Sequence, residues 1–165
     1  MDKIQKETME KTHENLRMYG VGKWEVKDEH GNIIKTGEAR NQIKTVGKQE
    51  VAKLVGYGLA GTVFRYLALG TSSTANDPAQ QTLVAEITDT GLERAAATIT
   101  NPTTTTTGDT SRFVKLWTAT GAKTIEEVAI FNATPAGVML GRLLTGTITL
   151  ANGNTFQFTY DIVFA

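Results

Sequence analysis

The sequence predicts a mainly β protein: an antiparallel β-sandwich, jelly-roll-like, with one short helix and an N-terminal arm. Three observations predict it. Phe156, Phe158, Tyr160, Ile162 and Phe164 all fall on even positions, so a strand there puts four aromatics and an isoleucine on one face. Short alternating segments recur at roughly ten-residue spacing with turn residues between them, the pattern of a sandwich or barrel. Of the 27 threonines, 23 follow residue 50, and threonine favours pleated, half-buried surfaces over helix interiors. A length of 165 residues suits one domain with a sizeable core. The division expected is an arm over residues 1–20 and a sandwich domain over 21–165, with the helix near 45–56.

Residues 2–17 are rich in Glu, Lys, Gln and Met, good helix formers, yet Ile4, Met9, Leu16 and Met18 give no wide apolar stripe. Such a segment is marginal alone; it reads first as a frayed terminal helix, and alternatively as an arm that orders against a neighbouring subunit through those four residues. Trp24 to Lys27 alternates as a strand, Asp28 to Asn32 supplies a turn, and Ile33 to Thr36 returns as a second strand. Thr45 is a plausible N-cap for a helix whose face carries Val51, Leu54, Val55 and Leu59, ended by Gly56, Gly58 and Gly61. Val63 to Leu69 reads as a strand, residues 71–78 as a loop, Leu83 to Ile87 as a short helical turn and Ala95 to Thr100 as one strand. Residues 101–109 form an exposed crossing or hairpin tip. Strands follow at 112–118, 125–131 and 138–150, with glycines as bulges or bends. Asn152-Gly153 is a strong hairpin signal before the terminal strand.

Composition narrows function. Lys plus Arg and Asp plus Glu both number 17, so no overall field grips nucleic acid or an anionic membrane. Lys44, Lys48 and Lys53 are scattered among Gln and Glu, a weak nucleic-acid signal. There is no cysteine, which removes disulfides and thiolate chemistry. No stretch approaches the ~20 apolar residues of a membrane span and the charged N-terminus lacks a signal peptide's apolar region, so a soluble protein made in a cytoplasm is expected. The two histidines, His13 and His30, have no metal-ligand spacing. Asn76-Asp77 lacks a calcium ligand ladder. Gly56 to Gly61 spells G-x-G-x-x-G, and Gly20-Val21-Gly22 is superficially similar, but the first follows a helix and precedes a strand, the reverse of the dinucleotide context. Glu126-Glu127 in a strand point to opposite faces, which argues against an acid/base pair and for exposed charge beside a sheet. No catalytic, cofactor or metal site is expected, and no enzyme. Residues 51–165 hold only seven basic and eight acidic side chains, so Glu86, Arg94, Glu127 and Arg142 stand out. Arg94 or Arg142 is expected to form a buried or half-buried ion pair with Glu86 or Glu127, fixing sheet register or a subunit contact.

The order of segments adds a resemblance. A Trp-bearing strand is followed by "ARNQIKTVGKQEVAKLVG", then "FRYLALGTSSTANDPAQQTLVAEI", a later arginine, "TIEEVAIFNATPAGVMLGRLL" and a final alternating strand. This resembles a broad family of tailed-bacteriophage structural proteins, the matching positions being Asn41, Leu67 to Thr71, Leu83 with Glu86, Arg94, Ile125 with Glu127 and Phe131, and Arg142, over about residues 22–164. The resemblance implies a non-enzymatic virion protein made in the host bacterium. The reading preferred is a capsid decoration (cement) protein on the outside of the shell, with the major capsid protein or other virion proteins as partners and a homo-oligomer, a trimer favoured. A tail, baseplate or fibre-adaptor protein is the alternative. A carbohydrate-binding module, using Trp24, Trp117 and Tyr66 as stacking faces, is a third.

Overall fold

The computed structural model describes residues 16–56 and 61–165. Ile4, Met9 and Leu59 lie outside the described residues. The chain runs β1 (Met18–Lys27), β2 (Ile33–Arg40), β3 (Gln42–Ile43), α1 (Thr45–Gly56), β4 (Tyr66–Gly70), β5 (Ala95–Ala96), β6 (Thr98–Thr100), β7 (Thr110–Thr118), β8 (Lys123–Phe131), β9 (Met139–Leu150) and β10 (Thr155–Phe164). Two five-stranded antiparallel sheets result, β2-β1-β10-β7-β6 and β3-β9-β8-β4-β5, the two layers of a β-sandwich with one short helix.

β10 lies at the centre of the first sheet, between β1 and β7. Its even-numbered residues Phe156, Phe158, Tyr160 and Ile162 are buried between the sheets, and the aromatic rings run on one another down the strand, Phe158 also stacking on Trp24 at 6.1 Å. β1 begins at Met18, inside the stretch expected as arm. The reason is register: Met18, Gly20, Gly22, Trp24 and Val26 form one alternating inward set, paired with β10 from Met18–Phe164 onward. Gly20 and Gly22 are therefore packing positions. A Cβ on Gly22 would strike the Leu143 and Phe158 side chains.

Four local expectations change once partners are in place. Ala95 to Thr100 is not one strand. Ala95–Ala96 pairs with β4 in the second sheet and Thr98–Thr100 with β7 in the first, so the chain changes sheets at Ala97. Asn152-Gly153 turns the chain, Gly153 at φ 84°, but β9 and β10 belong to different sheets, so the turn is a corner between layers. Leu83 to Ile87 is not helical: the chain bends at Val84 and Ala85 and then bridges β4 at Glu86, with Thr71 N–H donating to Ala85 O at 2.9 Å and Ile87 N–H to Leu69 O at 2.8 Å. Strand β4 begins at Tyr66, three residues later than the apolar run.

The helix also turns differently. Val55 is 85% exposed, while Gly47 and Glu50 face inward, with Val51 and Leu54 packed at the edge of the core. Glu50 is drawn in because its carboxylate accepts Thr62 N–H at 2.7 Å and Asn132 Nδ2–H at 3.2 Å. The Thr62 bond first, then the Lys53 ammonium at 3.1 Å and the Asn132 bond, hold its carboxyl below the usual range. Gly47 lies directly on the β9 backbone at Leu140, which seats α1 against the second sheet.

Candidate functional site: a buried polar layer and an apolar groove

β8 is bulged. Its pairing with β9 shifts between Ile125 and Glu127, so Ile125 and Val128 both reach the core between the sheets and Glu127 turns to the outer face of the second sheet. The connection 71–94 covers that face. Beneath it sit a small apolar cluster, Ala68, Leu83, Ala129, Phe131 and Met139, and a polar layer. The expectation of exposed charge at Glu126-Glu127 fails for Glu127, which is fully buried. Half-buried Glu126 accepts the Thr147 hydroxyl at 2.8 Å.

Arg142 and Glu127 form an ion pair with both side chains wholly buried, Nε to Oε2 at 2.5 Å. Glu127 also accepts Ala85 N–H at 3.0 Å and Val84 N–H at 3.4 Å. Arg142 donates onward to Thr74 O at 2.9 Å, Asn76 Oδ1 at 3.0 Å and Ser72 O at 3.4 Å. Lys44, just before α1, is equally buried. Its Nζ donates to Gln42 Oε1, Asn76 Oδ1, Asp77 O and Gln80 Oε1 at 2.9–3.1 Å. Burial, then the neighbouring Arg142, pushes the Lys44 ammonium down to about 8. Glu86 and Arg94 form the other pair, Arg94 Nε to Oε1 at 2.8 Å and Nη2 to Oε2 at 2.6 Å. The Arg94 guanidinium lies 3.6 Å over the Phe131 ring and donates to the carbonyls of Ala133 and Ala136. All four singled-out charges thus pair within the chain, and both pairs fasten the 71–94 connection to the second sheet. Sequence reasoning missed Lys44 as a third member, because three of its four acceptors lie 32–36 residues along.

These groups satisfy one another and so hold structure, although Glu86 and Arg94 also line a small hollow of about 260 Å³ with Thr134, Pro135 and Ala136. A larger space lies elsewhere. A groove of about 810 Å³ runs between α1 and the end of the first sheet where β1 enters. Its walls are apolar: Val51, Leu54 and Val55 from α1, Phe64 beside it, Ile99 and Phe113 from β6 and β7, Ile162 and Phe164 from β10. Val55, Val63 and Ile99 are exposed there at 85%, 46% and 44%. The polar groups at its rim are Arg65 and Ser111. Among the described lining residues no nucleophile stands with a base; the chemistry of the walls suits an apolar chain or surface.

Of the arm residues, Leu16 is 77% exposed and Met18 packs partly into the core. Arg17 pairs with Ala165, N–H to O at 2.5 Å one way and 2.8 Å the other. The arm therefore leaves the domain beside Phe164, at the groove. Trp24 and Trp117 are 8% and 3% exposed, Trp117 donating Nε1–H to Glu93 O at 3.0 Å. They are core residues and offer no face for stacking a sugar. Comparison of the chain with family models, with curated proteins and with solved structures returned no match.

Proposed function

We propose that this chain is a non-enzymatic structural protein of a tailed-bacteriophage virion, a capsid decoration protein that binds the outside of the shell against the major capsid protein and stabilises it. The observation that carries this reading is the apolar groove that the described residues leave open at the point where the arm leaves the domain. A sandwich with an open apolar seat and an arm has two means of contact with its neighbours, and each added contact raises avidity on a repeating lattice. The outer face of the first sheet suits the same role. Its charges are largely neutralised within the face, Arg112 with Asp161, Lys23 with Glu38 and Lys27 with Glu25, so little desolvation of lone charge opposes docking.

Immunogold labelling of purified particles tests the reading. Label over the heads is expected, with occupancy on shells lowered by deletion of residues 1–15 while the unfolding midpoint stays unchanged. Label confined to tails would replace the reading with the tail, baseplate or fibre-adaptor alternative, and particles free of label would end both.

A further inference from the structure

We propose that the groove between α1 and the β6-β7-β10 end of the first sheet is the seat of residues 1–15 of a second copy of this chain. The inference rests on the assembly reading above and names the partner of its docking surface.

The place and direction of the arm point to it. Arg17 lies antiparallel to Ala165, and Phe164, the residue before, lines the groove. Leu16 and Arg17 run on from β1 at the end of the sheet, with Leu16 exposed. A chain entering its own groove has to turn back beside Leu16, and residues 1–17 contain neither glycine nor proline, Asn15 being the nearest turn-favouring residue. Fifteen extended residues reach about 50 Å, well beyond a radius of gyration of ~15 Å for a chain of this size. A neighbour's groove is therefore within range. The chemistry also fits. Ile4 and Met9 are isolated apolar residues in a polar segment, suited to the apolar walls. Glu7 and Glu10 flank Met9, and the groove's rim carries Arg65, which forms no ion pair among the described residues. An arm seated in this way buries Val55, Val63 and Ile99, which the isolated domain leaves in water.

The absence of native cysteine allows a clean test with the full-length chain. Met9→Cys and Ile99→Cys proteins are mixed, oxidised and run without reductant. Leu116→Cys, on the exposed outer face of β7, replaces Ile99→Cys as the control for random collision. The expected result is a product of twice the monomer mass, at least about fivefold more abundant with Ile99→Cys than with Leu116→Cys, and reduced by excess peptide of residues 1–15. Equal yields with both partners, or no cross-link, would overturn the proposal. So would a dilute Met9→Cys/Ile99→Cys double variant that closes within one chain. Each of these outcomes leaves the particle labelling above free to succeed or fail independently.

Discussion

Replacing Arg142 by leucine isolates the energetics of the buried layer. The substitution removes the one cation bonded to Glu127 among the described residues and leaves that carboxylate, fully buried, with two backbone N–H donors at 3.0 and 3.4 Å. It also strips the Thr74 and Ser72 carbonyls of their donor. Removing one member of a buried pair costs about 3–5 kcal/mol, whereas Thr74 is exposed and Ser72 half-buried, so their carbonyls can turn to water and add little. Lys44 remains nearby to donate to Asn76 at 3.1 Å, so about 4 kcal/mol is expected, a large share of the ~5–15 kcal/mol that holds a domain together. At ~2–4 °C per kcal/mol for a chain of this size, the thermal midpoint falls by about 8–16 °C. Urea titration followed by the fluorescence of Trp24 and Trp117, both buried, measures it. The Glu127→Leu/Arg142→Leu double variant removes the stranded carboxylate and should recover part of the loss. A single variant within about 1 kcal/mol of wild type, or a double variant weaker than the single, would refute the account.

Three further outcomes follow from the same contacts. Gly47→Ala, which by helix propensity gains ~1 kcal/mol, should instead cost about 1–3 kcal/mol by overpacking, because the new Cβ meets the Leu140 Cα at 2.6 Å; a raised urea midpoint would disprove it. Lys44, pushed down to about 8 when folded against about 10.4 unfolded, leaves the unfolded chain holding the extra proton between those values. Stability relative to Lys44→Met should therefore rise from pH 8 towards 10; a flat or falling difference in unfolding free energy between pH 7.5 and 9.5 counts against it. Glu50→Ala should cost about 1–3 kcal/mol and speed hydrogen exchange at the Thr62 amide, which donates to Glu50 at 2.7 Å; an unchanged exchange rate would show that this bond does not hold the segment.

The fold class was legible because side-chain alternation is a local property: β10 and β7 announce themselves residue by residue. Sheet membership was not legible. Whether Ala95 to Thr100 stays in one sheet depends on β4 and β7, which offer edges to different halves of the segment. Asn152-Gly153 reads as a hairpin from its dipeptide, but β10 finds better burial between β1 and β7 than beside β9. The helix face was misjudged at Val55 for a similar reason. Glu50 wins the inward position through bonds to residues 12 and 82 places away, and no periodicity carries that information. Glu86, Arg94, Glu127 and Arg142 were conspicuous as charges in a charge-poor region. A buried or half-buried pair among them was expected on that ground; which cation takes which carboxylate was hidden, since the bulge in β8 and the covering connection decide it.

The Arg142 anchorage has a consequence for the nascent chain. The span around Asn76 is tied down by a guanidinium that comes 66 residues later. Emerging from the ribosome, that span must wait, undocked, until β8 and β9 have been synthesised and zipped together. Its closure is then a late event in maturation of the monomer, and slowed elongation anywhere between the two would prolong the interval in which the underside of the second sheet lies bare to proteases and chaperones.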